Sequence, residues 1–250
     1  MTTMGALHGM NMRGQRVALV GCGGIGEPTA AICAELGAEL VLADREAPQA
    51  LAQRLQRDYG HSASAFALDV SDSAAIAAFL QQAGALDALV VTAGVLSEER
   101  AMEPGTPEWD SNFDFVYHIN VRGPMLLAQL ALRQMSARGG GRIVLVGSMA
   151  GRFGGLLSGA QYATSKGALH TLVRWLAGRG APVGVSINGV APGATDTDMI
   201  AGESIDLRRI PAGRLGQPIE VARVAAFLAS PAASYVHGAV IDVNGGVAYS

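Results

Sequence analysis

The sequence predicts an α/β protein in a single domain, with a parallel sheet of about seven strands covered by helices on both faces. Three observations predict it. Short apolar runs alternate with helical stretches along the chain. The runs end at turn residues, as strands buried in a parallel sheet do. No repeat, low-complexity stretch or Pro/Ser-rich linker divides the 250 residues, so 1–250 reads as one unit.

Arg16 to Val20 is the first strand and stops at glycines. Pro28 to Leu36 is the helix that follows, with Pro28 in its first turn and Gly37 at its end. Glu39 to Ala43 is the second strand, ended by Asp44; Ala47 to Arg57 is helical. Ser64 to Leu68 is the third strand, ended by Asp69, and Ser71-Asp72-Ser73 caps a helix running to Gln82. Asp87 to Thr92 is a strand, Trp109 to Ala137 one long helical region, and Arg142 to Val146 a strand. Tyr162 to Gly178 is helical, Val183 to Val190 a strand, Ile219 to Ala229 a helix, and Ala239 to Val243 the last strand. Right-handed crossovers turn this alternation into a doubly wound, Rossmann-type sheet. Residues 1–13 read as a flexible N-terminus.

Composition narrows the function. Half of the residues are hydrophobic and 16% are charged, enough to bury a large core. The net charge is −3 with no basic patch, which argues against a nucleic-acid partner. Cys22 and Cys33 lack metal-ligand companions and read as reduced thiols, so no metal site is expected. No apolar stretch reaches the roughly 18–20 residues of a membrane span, and no basic start with a long apolar core marks a signal peptide. A cytoplasmic protein without membrane contact is expected.

Gly21-Cys22-Gly23-Gly24-Ile25-Gly26 joins the first strand to the first helix. Glycines there let backbone N–H groups approach a pyrophosphate, and the helix N-terminus adds positive partial charge. Such a loop is a weak signal alone, but the strand–turn–helix context is right and Asp44 follows at the spacing of a ribose-binding acid. A carboxylate there accepts ribose hydroxyls of NAD and repels the 2′-phosphate of NADP. Arg45 opposes this, since a neighbouring arginine accommodates a phosphate; Gly23 and Glu27 add no positive charge to the loop. Asp69 reads equally as an acceptor for the adenine amino group or as a turn acid before Ser71.

Tyr162-Ala163-Thr164-Ser165-Lys166 places Tyr162 and Lys166 four apart, on one helix face. Ser148 stands fourteen residues before Tyr162, and Asn120-Val121-Arg122-Gly123 lies upstream. With Ala93-Gly94, Pro192-Gly193, Thr197 and Gly213-Arg214-Leu215-Gly216-Gln217-Pro218, the chain from about Gly14 to Val247 resembles a classical short-chain dehydrogenase/reductase. YxxxK alone is weak; in this order with the strand-end serine, the asparagine and the glycine loop it is specific.

An ammonium beside a phenol favours the phenolate, so Lys166 is expected to lower the Tyr162 pKa from about 10 and make it a general acid–base. Ser148, just beyond a strand, orients the substrate oxygen and stabilises developing charge. The resemblance implies that Asn120 holds a water linking Lys166 to solvent, and that Lys166 also bonds the nicotinamide ribose. It further implies cofactor contacts from Gly21, Cys22, Gly23, Gly24, Ile25 and Gly26, from Asp44, Arg45, Asp69 and Val70, and from Ala93 and Gly94. Tyr162, Lys166, Pro192 and Gly193 complete the set, with Thr195 at the carboxamide and Thr197 near the phosphates. It implies a substrate lid over 198–210 and a homotetramer whose interfaces use the C-terminal strand and the helices around Asn120 and Tyr162.

Three features depart from the family pattern. Only Cys22 and Gly23 separate Gly21 from Gly24, one residue fewer than usual, and Val20 replaces the usual threonine. Cys22 is expected to touch the adenosine side and to sense thiol oxidation. Val91-Thr92 replaces the usual pair of asparagines that braces the sheet edge. The stretch Trp109–Asp114 is a few residues longer than usual, and His118 beside Asn120 reads as packed or exposed rather than catalytic.

Met149, Phe153, Leu156 and Leu157 give a partly apolar pocket, and Arg152 reads as structural. The expected activity is hydride transfer between NAD and a small secondary alcohol or ketone. The alternatives are an NADPH-dependent ketoreductase and a non-catalytic NAD-binding regulator, the last disfavoured because Tyr162 and Lys166 are both present.

Overall fold

The computed structural model describes residues 8–97, 101–156 and 158–249. Its strands are β1 (Arg16–Val20), β2 (Glu39–Asp44), β3 (Ala63–Ala67), β4 (Ala88–Val91), β5 (Gly141–Val146), β6 (Val185–Pro192) and β7 (Val240–Val243). They form one parallel sheet in the order β3-β2-β1-β4-β5-β6-β7. The order reverses between β1 and β4. Crossovers therefore leave on opposite faces, and a crevice opens at the strands' carboxyl ends.

The helices are α1 (Gly26–Glu35), α2 (Gln49–Tyr59), α3 (Ser73–Ala83), α4 (Pro107–Tyr117), α5 (Gly123–Ala137), α6 (Ala150–Phe153), α7 (Ala160–Gly180) and α8 (Pro218–Ala229). Two cores lie on the two faces of the sheet. Val17 and Leu19 of β1 join Cys33, Leu55, Val221 and Leu228 from α1, α2 and α8. Ala18 and Val20 join Leu80, Leu127, Leu172 and Leu176 from α3, α5 and α7. Alternate residues of one strand thus feed opposite cores, and each leucine so buried contributes roughly 2 kcal/mol.

The chain ends its helices as its residue types require. Asp72 accepts from the N–H groups of Ala74 (2.8 Å) and Ala75 (3.2 Å) and caps α3. Thr106 caps α4 ahead of Pro107. Gln217 and Glu220 form a capping box on α8.

Several boundaries differ from the sequence expectation. The long helical region 109–137 is two helices joined by a π-turn over His118–Arg122. Pro124 has no N–H to return to Asn120 four residues earlier, so the regular ladder cannot run through. Helix α2 starts at Gln49, after Pro48, rather than at Ala47. Val183 belongs to a short 3-10 turn, and β6 starts only after Gly184, whose φ is +75°. Helix α7 extends two residues further at each end than expected. The expectation of a flexible start through residue 13 is corrected: Met12 is fully buried, and its N–H donates to the Leu36 carbonyl at 2.8 Å. Residues 1–7 lie outside the described residues. Among those described, no helix is long and apolar enough to cross a membrane.

Candidate active site

The glycine loop sits where β1 meets α1, and two of its glycines have no substitute. Gly21 has φ +94°, and a Cβ on it would lie 2.5 Å from the Ala93 nitrogen. A Cβ on Gly26 would fall onto the Gly21 carbonyl. Above Gly23 there is open space, which leaves a cradle for a pyrophosphate. Thr92 takes over the bracing role: its hydroxyl donates to the Gly21 carbonyl, and its N–H donates to Val20 O at 2.9 Å. Gly24 packs against the Thr197 methyl, 3.2 Å from where a Cβ would stand.

The short loop closes onto β2. The Cys22 N–H donates to Asp44 Oδ2 at 2.7 Å, and the Arg45 N–H donates to Oδ1 at 2.7 Å. The Cys22 thiol does not face a ligand. It is 7% exposed and lies 3.6 Å from the Ala43 carbonyl oxygen. Burial first, then the charge of Asp44, pushes its pKa up to about 12. The expected oxidation-sensitive Cys22 is therefore corrected: a protonated, packed thiol is a poor nucleophile. Asp69 accepts from the Ser71 N–H (2.8 Å) and hydroxyl (2.7 Å), as a turn acid does, and these bonds hold its pKa below the usual carboxylate range. Val70 is buried, its carbonyl pressed against Gly123. Asp44, Arg45, Asp69 and Val70 all lie beyond the lining of the main cavity.

Helix α7 presents Tyr162 and Lys166 on one face, both buried. Ser148, two residues beyond β5, hydrogen-bonds the Tyr162 phenol and accepts the Ala150 N–H at 3.1 Å. Lys166 Nζ lies 5.7 Å from the centre of the Tyr162 ring and donates to the Val146 carbonyl at 3.3 Å. Gly94 admits this ammonium, since a Cβ there would come 2.9 Å from Nζ and 3.3 Å from Asn120 Oδ1. Asn120 is fully buried by the π-turn. Its Oδ1 accepts from the Val95 N–H (2.8 Å), and its Nδ2 donates to Val95 O (2.9 Å) and Ser165 Oγ (3.1 Å). The side chain of Asn120 thus fixes the chain segment beyond β4. His118 is exposed and bonds only its own helix, at Asp114 O.

The electrostatics correct one expectation. The Tyr162 pKa lies above its ordinary value of 10, because burial outweighs the Ser148 hydrogen bond. Lys166 does not lower it here; burial instead depresses Lys166 itself to about 8. Both groups are taken from water, and desolvation dominates each.

One neighbour escaped the sequence reading. His170, one helical turn beyond Lys166, is 4% exposed. Its Nε2 packs on Gly147, the residue before Ser148, and has no hydrogen-bond partner. Burial first, then Arg152 and Arg174, lowers its pKa to about 4. Its i+4 spacing from Lys166 was the available signal.

A cavity of about 880 Å³, counted out to its mouth, runs from Ile25 and Thr92 past Ser148, Tyr162 and Lys166. Pro192, Gly193, Thr195 and Thr197 form one wall; Leu96, Met149, Phe153, Leu156, Met199, Ile200 and Val247 add apolar surface. Leu157 lies outside the described residues. Gly193 is pinned by its N–H to Val243 O at 2.9 Å, and Thr195 bridges to Gly216. Arg152 is structural: it bonds Asp242 at 2.7 Å and Val240 O at 2.8 Å. The segment 198–210 holds two short 3-10 turns, Asp198–Ile200 and Leu207–Arg209, and is anchored by buried Ile210. The glycine cradle and its continuity with the Tyr162 cavity fit a nicotinamide dinucleotide. Among the described residues, no group of three or more His, Cys, Asp or Glu is placed to hold a metal ion.

A family model described as enoyl-(acyl carrier protein) reductase matches residues 21–248. The cis-4-hydroxycyclohexanecarboxylate dehydrogenase of Sinomonas cyclohexanicum is 39% identical over 244 residues, 93% of this chain and 96% of that protein. A short-chain type dehydrogenase/reductase from Mycobacterium marinum superposes with a TM-score of 0.91 at 30% identity, covering 98% of this chain and all of that one. A gluconate 5-dehydrogenase from Burkholderia cenocepacia, solved with NADP and tartrate, gives 0.85 at 33% identity over 97% and 98% of the two chains. Matched by the family model, by this dehydrogenase and by these structures over nearly its whole length, the chain belongs to the short-chain dehydrogenase/reductase family of oxidoreductases.

Proposed function

We propose that the protein moves a hydride between NAD(H) and a small secondary alcohol or ketone, with Tyr162 as the general acid–base. The observation that carries this reading is the Ser148 hydroxyl bonded to a buried Tyr162, both lining one cavity, with Lys166 on the same helix face. In oxidation, Ser148 and Tyr162 hold the alcohol oxygen, and Tyr162 as phenolate removes its proton. The carbinol carbon thereby becomes a carbonyl as the nicotinamide, when bound, accepts the hydride. In reduction, Tyr162 returns the proton to the carbonyl oxygen while Ser148 steadies the developing charge. Lys166, linked to solvent through the region of Asn120, restores the proton on Tyr162.

Support for NAD is the position of Asp44 at the end of β2, where such sheets carry a ribose-binding acid. The bound NADP of the gluconate 5-dehydrogenase favours the second reading, an NADPH-dependent reductase, with the exposed Arg45 as phosphate partner. The hydroxycyclohexanecarboxylate named for the Sinomonas relative is itself a ring-borne secondary alcohol. Assembly into a tetramer is part of the same reading, supported by exposed Phe115, Met125 and Trp175 on α4, α5 and α7. Light scattering giving a monomer removes it.

Titration of the protein with NAD and NADP, followed by a panel of secondary alcohols with each, tests the proposal. Turnover with NAD preferred by more than about tenfold is expected. Tight NAD binding with no turnover of any alcohol or ketone would make the chain a silent NAD-binding regulator instead. A preference for NADP would install the reductase reading.

A further inference from the structure

We infer that the substrate is uncharged and apolar away from its reacting oxygen, a compact neutral ketone or its alcohol rather than a carboxylate or a polyol. This rests on the hydride-transfer reading above.

Four observations carry it. First, beyond Ser148, Tyr162 and Lys166, the described lining includes the apolar Leu96, Met149, Phe153, Leu156, Met199 and Val247, with Ser158 as a further hydroxyl. Second, no described arginine is free to anchor an anion there. Arg152, adjacent to Phe153, is committed to Asp242 with both side chains largely buried, at 21% and 12% exposure. Arg208 of the lid holds Asp206 with two bonds of 2.8 and 2.9 Å, and neither it nor Arg209 lines the cavity.

Third, Ser158, the lining hydroxyl outside the catalytic set and the wall assigned to the cofactor, already donates to Gly154 O at 2.7 Å. A sugar's hydroxyls would exchange water for few new donors. Fourth, Phe153 and Met199 are 41% and 42% exposed, yet both line this cavity. Large apolar side chains left open at a pocket mouth mark where an apolar body packs.

The test compares kcat/KM for the methyl ester and the free acid of 4-hydroxycyclohexanecarboxylic acid, with 4-methylcyclohexanol and galactitol alongside. The ester and 4-methylcyclohexanol are expected to exceed the acid and galactitol by about tenfold or more. Equal or better use of the acid or the polyol overturns this inference while leaving hydride transfer intact. Failure of all four with either cofactor overturns both. Phe153→Arg, which places a cation at the mouth, is expected to shift the acid-to-ester ratio at least about fivefold toward the acid; no shift would mean that the ring does not meet the substrate.

Discussion

The imidazole of His170 packs so closely on Gly147 that no Cβ fits between them. A helix residue one turn past Lys166 therefore sets the height of the loop that carries Ser148. Gly147→Ala must push one of them aside. A loss of about 1–3 kcal/mol in denaturant unfolding is expected, with a fall in kcat larger than the change in KM.

The burial of the same ring makes stability acid-sensitive. The pKa of His170 is lowered from 6.5 to about 4, so between these values the unfolded chain binds the proton more readily. Stability is full above pH 6.5 and is lost as pH falls toward 4, by up to about 3 kcal/mol from this group. Unfolding curves at pH 7 and 4.5 should differ less in His170→Gln than in the parent; an equal difference would place the acid sensitivity elsewhere.

Lys166 costs the fold something at neutral pH. Its pKa is depressed from 10.5 to about 8 by burial alone. Above pH 8 the folded state releases its proton before the unfolded chain does, so stability of the cofactor-free protein rises from pH 8 to 10.5. Lys166→Met should stabilise the protein by about 2 kcal/mol at pH 7, the Val146 carbonyl losing its donor, while turnover falls at least about a hundredfold. A Tm that drops instead would mean that the ammonium holds the fold.

Tyr162 has a raised pKa. Alcohol oxidation needs the phenolate and reduction needs the phenol. The oxidation rate should climb with pH into the alkaline range while the reduction rate declines. Tyr162→Phe should lose roughly 10²–10⁴ of turnover and abolish this opposite pH dependence; full turnover in that variant would end the assignment.

Asp44 accepts the Cys22 N–H on one oxygen and the Arg45 N–H on the other, and under the NAD reading the cofactor ribose as well. Asp44→Asn keeps an oxygen for the Cys22 N–H, turns an amide NH2 toward the Arg45 N–H and removes the charge. NAD affinity should fall about tenfold and NADP affinity rise, read by fluorescence titration.

Neither thiol should react in the folded state. Cys22 and Cys33 are buried with pKa values pushed to about 12. A thiol reagent at pH 8 should label neither quickly in native protein and both in denaturant.

Much of this was legible in the residues. The strands announced themselves because apolar runs stop at glycines and acids, and the order Gly21, Asn120, Ser148, Tyr162, Lys166 is a chain pattern. What escaped depends on partners far apart. The π-turn was written in Pro124, but apolar spacing over 109–137 hid it. The direction of the Tyr162 shift could not be read from a Lys four residues away, because the desolvation comes from the walls of the cavity. The pairing of Arg152 with Asp242 spans 90 residues and has no local mark.

That pairing makes completion of the site depend on the C-terminal strand. The helix after Ser148 is tied to β7 by Arg152 and Asp242, and Val247, just beyond β7, lines the cavity. Contacts so distant in sequence form late, after the loop-closure entropy has been overcome. Recovery of activity during refolding is thus a clock for β7 docking, running behind the return of helical signal from α1 to α5.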